Sequence, residues 1–239
     1  MSTSQSSPER FKHRLQAGRL LARQLAHLAG QPGLIVLALP RGGVPVGFSV
    51  ARALGAELYV LLVCKLGTPG HEEFAMGAMA GDGMPILLPR SPGAPRVPAE
   101  AVDAACARAS AEIARRERLY RGARPPLALA GRLALLVDDG LATGATMRAA
   151  VALARRLGAA RVVVAIPVGA PDSVAALAPL VDDLVCLRTP PRFYAVSQWY
   201  DDFEQTTDDE VRDLLAIAWR VSPAALASQH STINNHRST

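Results

Sequence analysis

Short apolar runs alternate with longer segments of helical periodicity, and this alternation predicts an α/β fold. The apolar runs have the length of buried strands and are bounded by glycine, proline or acidic residues. Five strands are predicted: LIVLAL at Leu34–Leu39, AELYVLLVC at Ala56–Cys64, LALLVDDG at Leu133–Gly140, VVVAIPV at Val162–Val168 and DLVCL at Asp183–Leu187. Largely apolar strands are typical of a parallel sheet covered on both faces. We therefore expect an open, mainly parallel twisted sheet with helices on both faces.

The segments between the strands carry apolar residues at helical spacing. Helices are predicted at Phe11–Leu28, Val44–Leu54, Pro98–Tyr120, Ala145–Leu157, Asp172–Ala178 and Thr207–Trp219. Residues 66–90 break this rhythm with glycines and prolines, which predicts a hairpin or a flexible loop.

One domain is expected to account for most of the 239 residues. We expect a disordered N-terminus at 1–8, the domain at 9–220 and a polar tail at 221–239. Within the domain, residues 9–30 and the aromatic-rich residues 190–220 are predicted to form a small hood.

Composition excludes several classes of protein. Half of the residues are hydrophobic and the net charge is only +5, which excludes disorder of the whole chain. The apolar runs are shorter than a membrane span, and no apolar segment follows the basic N-terminal residues, so we expect a cytoplasmic protein without membrane contact. Three scattered cysteines indicate neither a disulfide framework nor a zinc site. The basic cluster Arg115–Arg124 contains an acid and has helical spacing, which favours a solvated helix face over nucleic-acid binding.

The segment LLVDDGLATGATM, at Leu135–Met147, has the clearest chemistry. An apolar strand delivers Asp138 and Asp139 to its carboxyl end, where ligands bind in open α/β sheets. The following loop combines small residues, two hydroxyl groups and the N-terminus of a helix, as a phosphate cradle requires. Its members are Ala142, Thr143, Gly144, Ala145 and Thr146. The two acids could then accept hydrogen bonds from the hydroxyls of a sugar whose phosphate fills the loop.

Other nucleotide-binding and hydrolytic classes lack their motifs here. The loop does not end in Gly-Lys-Ser/Thr, and no GxGxxG follows any strand. The sequence GFSVA around Ser49 is not the GxSxG of a serine hydrolase.

The Asp-Asp segment resembles the phosphoribosyl-diphosphate (PRPP) signature of the type I phosphoribosyltransferases, although Gly140 stands where an aliphatic residue is usual. The resemblance implies an enzyme that uses Mg²⁺ and binds PRPP through the two acids and the 142–146 loop. Asp138 and Asp139 would act on Mg²⁺ indirectly, through water or the ribose hydroxyls. The competing interpretation is that both acids only cap the following helix.

A second segment, LALPRGGVPVG at Leu37–Gly47, is similar to the diphosphate loop of that family. Arg41 supplies a cation, and Gly42 and Gly43 allow backbone N–H groups to face diphosphate oxygens. The resemblance also implies a strained or cis peptide bond here. Taken alone, Arg-Gly-Gly is more often a plain turn.

Residues 64–83 occupy the place of the family's flexible loop, which closes over the active site. Lys65 is a candidate diphosphate contact, with a surface lysine as the alternative. Glu72 and Glu73 are candidate acid/base groups, because the resemblance places such a Glu in the loop of adenine-type enzymes and Ala142 cannot take that role. Solvated glutamates are the alternative. Phe193 and Tyr194 are candidate walls for a base, or part of the core at the end of the sheet.

A wider set of motifs resembles a bacterial group of phosphoribosyltransferases without an assigned substrate. The motifs are FxxRxxAGRxLA, LALPRGGVPVG, CKLGxPxxxEFAMGA, RExxYRG, VDDGLATGATM and AVSQWYDDFxQTxDxEV, and they span most of residues 11–218. Two functions follow as hypotheses. The first is transfer of ribose 5-phosphate from PRPP to a nitrogenous base or related small molecule, with release of diphosphate. The second is a PRPP-binding regulatory protein, which could contact nucleic acid through Arg115–Arg124. The resemblance also implies self-association, without fixing a stoichiometry.

Overall fold

The computed structural model describes residues 10–68, 71–80, 84–87, 97–122 and 124–221. The predicted N-terminal segment at 1–8 and all but the first residue of the predicted tail at 221–239 lie outside this range. Five parallel strands form the centre of the molecule: β1 at Leu34–Ala38, β2 at Glu57–Val60, β6 at Leu133–Val137, β7 at Arg161–Val168 and β8 at Asp183–Arg188. Their order in the sheet is β2-β1-β6-β7-β8.

Helices cover both faces of this sheet, which confirms the predicted fold class. They are α1 at Arg14–Gln24, α2 at Gly43–Leu54, α3 at Ala99–Arg121, α4 at Ala145–Arg156, α5 at Pro171–Leu177 and α6 at Asp208–Val221. Alternate residues of each strand face opposite sides. In β1, Val36 belongs to the core beneath α1, α2, α3 and α6, whereas Leu37 belongs to the core beneath α4 and α5. Within the described part of the chain, no helix is long and apolar enough to cross a membrane.

A second sheet replaces part of one predicted strand. The run AELYVLLVC was expected to form a single strand, but β2 ends at Val60 and a new strand begins at Val63. The second sheet is antiparallel and contains β3 at Val63–Thr68, β4 at His71–Ala80 and β5 at Pro85–Leu87. Continuous apolar sequence could not reveal the break because both parts are buried: Leu58 packs beneath the helices and Leu66 is 1% exposed. The described parts of residues 66–90 belong to these antiparallel strands.

The N-terminal and C-terminal segments of the predicted hood lie against each other. Phe11 pairs with Tyr200 through backbone hydrogen bonds, in which Phe11 N donates to Trp199 O and Asp201 N donates to Phe11 O. The Phe11 and Tyr200 rings are 5.4 Å apart, and together with Trp199 and Val168 they form a separate small core at the carboxyl end of β7. The helix of this region begins at Arg14 rather than at Phe11, because His13 caps it by accepting a hydrogen bond from Gln16 N.

Candidate active site

The two glycine-containing loops meet because β1 and β6 are adjacent parallel strands. Both loops leave the carboxyl edge of the sheet, where Leu39 N donates to Val137 O at 2.9 Å. A Cβ atom on Gly43 would lie 2.8 Å from Val137 O and 3.0 Å from Asp138 Oδ1, and a Cβ atom on Gly42 would overlap Asp139 Oδ2. The absence of side chains at Gly42 and Gly43 therefore allows this loop to pack directly against the acidic pair.

Arg41 extends from the first loop, and a cis peptide bond joins it to Pro40, as the resemblance implied. Its Nη1 atom lies 3.8 Å from Asp208 Oδ1 at the start of α6. Asp208 also accepts hydrogen bonds from the Tyr120 hydroxyl and from Arg115 Nη1, the latter at 3.5 Å. The hydrogen bond from Tyr120 lowers the pKa of Asp208, and burial raises the pKa of Tyr120 to about 12. An ionised Asp208, which belongs to α6, therefore contacts both α3 and Arg41, the candidate cation for diphosphate.

Asp139 is held by groups that lie far away in the sequence. Arg14 Nε donates to Asp139 Oδ2 at 2.8 Å, and the two side chains are only 11% and 15% exposed. Arg14 is itself fixed, because Nη1 donates to Glu204 O at 2.6 Å and the guanidinium lies 3.8 Å from the centre of the Phe203 ring. The Tyr200 hydroxyl donates to the backbone carbonyl of Asp139 at 2.6 Å. Both hood segments thus determine the position of Asp139.

Asp138 and Asp139 differ in the groups that shift their pKa values. Burial raises the pKa of Asp138, and the adjacent Asp139 charge raises it further. Burial also raises the pKa of Asp139, but the Arg14 charge and hydrogen bond oppose that effect. Asp138 Oδ1 accepts a hydrogen bond from Asp139 N at 2.8 Å, and no side chain among the described residues donates to its carboxylate. Asp138 therefore retains acceptor capacity for a polar ligand.

The second loop leads into the N-terminus of α4. Gly144 adopts a left-handed conformation with φ of 73°, and α4 begins at the next residue. The first N–H groups of a helix have no acceptor within the helix itself, and here Ala145 N donates to Thr143 Oγ1 at 3.5 Å. Ala142 and Thr143 are exposed and Thr146 is half-buried. Ser173 Oγ donates to Ala142 O at 2.5 Å and fixes the outer part of the loop.

The remaining predicted site residues belong to the second sheet and to the aromatic-rich residues 190–220. Lys65 is an exposed residue of β3 in the second sheet. Glu72 and Glu73 lie in β4, and their side chains are outside the described part of the structure. Phe193 packs against the small hood core, whereas Tyr194 is 80% exposed.

Sequence reasoning missed several residues that support the site. They are Arg14, Tyr120, Phe203 and Asp208. Each lies in a recognised motif, FxxR, RExxYRG or AVSQWYDDFxQTxDxEV, but had received no role of its own. Membership of a motif was the available signal, but only the fold shows that these residues support Asp139 and Arg41.

Gly140 stands where the family signature usually has an aliphatic residue. The side chain of Val196 fills the space that such a residue would occupy. A Cβ atom on Gly140 would lie 2.5 Å and 2.7 Å from the two methyl groups of Val196. We expect Gly140→Ala to lower the free energy of unfolding by roughly 1–3 kcal/mol, because the two side chains would compete for one space. Denaturant unfolding measures this change.

The same substitution in a Val196→Ala background tests the cause. Because the competing methyl groups are then absent, Gly140→Ala should cost at least about 1 kcal/mol less than it does in the wild type. Equal costs in the two backgrounds would show that Val196 does not explain the glycine.

Comparisons with known proteins agree with this architecture. A model of the phosphoribosyl transferase domain family matches residues 9–188, and the chain belongs to that family. The protein TT1426 from Thermus thermophilus, known from a crystal structure, is 43% identical with a TM-score of 0.75, over 86% of this chain and 97% of that chain.

Two relatives come from Mycobacterium tuberculosis. They are "Putative phosphoribosyl transferase MT0597" of strain CDC 1551 / Oshkosh and "Putative phosphoribosyl transferase Rv0571c" of strain H37Rv. Each is 47% identical over 210 residues, covering 88% of this chain and 47% of the relative. The chain thus spans about half the length of these curated relatives.

Proposed function

We propose that this chain transfers ribose 5-phosphate from PRPP to a nitrogenous acceptor and releases diphosphate. The observation that carries the proposal is that the Asp138–Asp139 pair packs against the glycines of the Arg41 loop and is followed directly by the 142–146 loop at the N-terminus of α4. A sugar diphosphate needs this combination: hydroxyl acceptors in the middle and anion sites on either side.

Each loop would take one part of PRPP. The 142–146 loop would hold the 5-phosphate through backbone N–H groups and the hydroxyls of Thr143 and Thr146. Asp138 and Asp139 would accept hydrogen bonds from the ribose hydroxyls. Arg41 and the N–H groups of Gly42 and Gly43 would stabilise the charge that develops on the leaving diphosphate.

The transfer itself exchanges one bond at the ribose C1 atom. The lone pair of the acceptor nitrogen forms the new C1–N bond, and the C1–O bond breaks with its electron pair passing to diphosphate. Where the acceptor nitrogen carries a proton, that proton passes to a base. The protein would contribute by positioning and electrostatics, since no nucleophilic side chain is required.

The acidic pair fits an indirect role towards Mg²⁺. Carboxylate oxygens are suitable ligands for this ion, but the described residues contain no cluster of three or more acidic, histidine or cysteine side chains that could hold a metal. One oxygen of Asp139 is already paired with Arg14. Asp138 and Asp139 would therefore hold Mg²⁺ through water or the ribose hydroxyls, and the ion would neutralise diphosphate charge.

The β3–β4 hairpin is the proposed cover of the site, with Lys65 as a diphosphate contact and Glu72 or Glu73 as the acid/base group.

Replacing whichever of these two glutamates is the acid/base group by glutamine should lower turnover about a hundredfold or more. PRPP affinity should change little, because only proton transfer is lost. Single-turnover kinetics of Glu72→Gln and Glu73→Gln measure this. Full activity in both variants would remove the acid/base role from this strand.

Asp208 should affect PRPP binding although it lies outside both loops. Asp208→Asn removes the charge that orients Arg41, so we expect PRPP affinity to fall about tenfold with the fold intact. The control is Asp209→Asn, an adjacent residue whose side chain is 85% exposed and pairs with Arg212. Equal PRPP affinities of the two variants in calorimetry would show that Asp208 is only a structural contact.

Release of diphosphate from PRPP, measured with a panel of bases in the presence of Mg²⁺, tests the proposed activity. A transferase releases diphosphate only when an acceptor is present. PRPP binding without release by any base would instead support the regulatory alternative.

A further inference from the structure

A cavity of about 530 Å³ lies between the first turns of α1, α2 and α6 and the segment 202–207. This volume is in the usual range of small-molecule sites. Four of its lining residues are acidic: Asp202, Glu204, Glu210 and Asp213. We refer to it as the acidic cavity. None of the residues proposed to contact PRPP belongs to its lining.

The negative charge of the acidic cavity is not compensated. None of the four carboxylates forms an ion pair with a residue that the structure describes. Two basic residues also line the cavity, but Arg14 is already paired with Asp139 at 2.8 Å. His13 Nδ1 accepts a hydrogen bond from Gln16 N, so that nitrogen carries no proton and the imidazole is neutral. The cavity therefore attracts cations.

Two of the carboxylates are held in place by backbone groups. Asp202 Oδ1 accepts a hydrogen bond from Glu204 N at 3.2 Å. Glu210 Oε2 accepts one from Thr207 N at 2.7 Å, and Thr207 Oγ1 accepts one from Glu210 N at 3.1 Å, which is a capping box at the start of α6. Each carboxylate keeps further acceptor sites. A ligand would therefore meet groups that are already positioned, which lowers the entropy cost of binding.

Thr206 points to a ligand independently of the charge. This residue is only 6% exposed, yet its hydroxyl makes no hydrogen bond with any residue in the described part of the chain. The hydroxyl is not one of the fully enclosed polar atoms, and Thr206 lines the acidic cavity, so the hydroxyl opens into it. Buried hydroxyls in proteins are normally hydrogen-bonded. A donor in the cavity, such as an ammonium group, would supply the missing partner.

The spread of the carboxylates decides what kind of cation fits. Among the described residues, no three acidic, histidine or cysteine side chains are placed to hold one metal ion. Two carboxylates belong to the segment 202–207 and two belong to α6. The lining also has apolar surface from Leu15, Pro45 and Leu214. A ligand with several separate positive groups joined by apolar segments matches this arrangement better than a single compact ion.

We propose that the acidic cavity binds a linear aliphatic polyamine. Its protonated amino groups pair with the carboxylates of the two walls, and the Thr206 hydroxyl accepts a hydrogen bond from one of them. The methylene segments pack against Leu15 and Leu214. The proposal goes beyond the proposed function and does not depend on it.

Calorimetry with matched probes tests this site. Spermidine, n-butylamine and 1,4-butanediol are each titrated into the full chain in about 0.15 M salt without PRPP, so that weak surface attraction is screened. We expect spermidine to bind at one site at least about tenfold more tightly than n-butylamine, and 1,4-butanediol to show no binding. Equal affinities for the two amines would fit a single lysine side chain of another protein and would contradict the proposal. Displacement of spermidine by an equal concentration of Mg²⁺ would assign the cavity to a metal and would also contradict it.

A double variant locates the binding. Glu210→Gln with Asp213→Asn should lower spermidine affinity about tenfold or more, and glutamine can still accept the capping hydrogen bond from Thr207 N. The matched control is Glu100→Gln with Asp103→Asn, which removes the same two residue types at the same spacing from the exposed start of α3. The control should bind spermidine within about twofold of the wild type. Equal losses in the two double variants would show that only the overall charge of the protein matters.

Thr206→Val tests the hydroxyl. Spermidine affinity should fall about fivefold, because one hydrogen bond to a charged group is lost. The free energy of unfolding should not fall, because the hydroxyl has no partner among the described residues to lose. Thr206→Ser retains the hydroxyl and should bind spermidine as the wild type does. Unchanged spermidine affinity in Thr206→Val would contradict the proposed contact.

Titration of PRPP into the same proteins separates this proposal from the proposed function. Glu210→Gln with Asp213→Asn should bind PRPP as the wild type does. If the wild type binds PRPP but not spermidine, only the polyamine proposal fails. If it binds spermidine but not PRPP, only the proposed function fails.

Discussion

Replacing Asp138 and Asp139 together by asparagine is expected to abolish PRPP binding while the fold remains intact. The two carboxylates would provide charge-assisted hydrogen bonds to the ribose hydroxyls, and their loss should cost roughly 3 kcal/mol or more, which is more than a hundredfold in affinity. At Asp138 asparagine removes an unfavourable buried charge, whereas at Asp139 it breaks the buried ion pair with Arg14, so we expect the free energy of unfolding to fall by roughly a few kcal/mol at most. Calorimetric titration with PRPP and Mg²⁺, together with thermal unfolding, measures both effects.

A matched double variant controls for the change in net charge. Asp209→Asn with Asp213→Asn removes two acids from the exposed surface of α6 and should leave PRPP affinity within about twofold of the wild type. If the 138/139 variant also binds PRPP normally, the two acids are helix caps and not ligand contacts.

Gly42→Ala should have an effect of similar size through geometry alone. The added methyl group would overlap Asp139 Oδ2 and lie 3.2 Å from Arg14 Nε, so the buried ion pair has to move. We expect PRPP affinity to fall about a hundredfold, while the free energy of unfolding falls by only about 1–3 kcal/mol. A large loss of PRPP affinity with a small loss of stability indicates that the site is displaced and not that the fold is destabilised.

Gly55, at the other end of α2, provides the control. Gly55 has φ of 64° and no atom near the position of an added Cβ. Gly55→Ala should therefore cost about 1 kcal/mol through backbone strain and leave PRPP affinity unchanged. A Gly42→Ala variant that loses stability but binds PRPP like Gly55→Ala would contradict the close packing of the two loops.

The sequence predicts the sheet and the acidic loop well because both depend on local patterns. The run Leu133–Val137 is apolar throughout, and the acids follow directly at its carboxyl end. The pairing of β1 with β6 then brings Gly42 and Gly43 to Asp138 and Asp139. Parallel strands share one carboxyl edge, so this meeting follows from the strand order.

The support of the site could not be predicted because it depends on contacts between residues far apart. Arg14 reaches Asp139 across 125 positions, and Tyr120 reaches Asp208 across 88. Neither pair has a local signature beyond its membership of a motif. Gly140 is a similar case. Its lack of a side chain is explained only by Val196, which lies against Gly140 in space but follows it in the sequence after β7 and β8.

Binding of PRPP to the full chain in the presence of Mg²⁺ tests the central claim most directly. Isothermal titration calorimetry should show one saturable site per chain, filled at PRPP concentrations below about 1 mM and competed for by ribose 5-phosphate and by diphosphate. Competition by both fragments is expected because the 142–146 loop and the Arg41 loop would each bind one of them. The absence of PRPP binding in this range, or competition by neither fragment, would contradict the account.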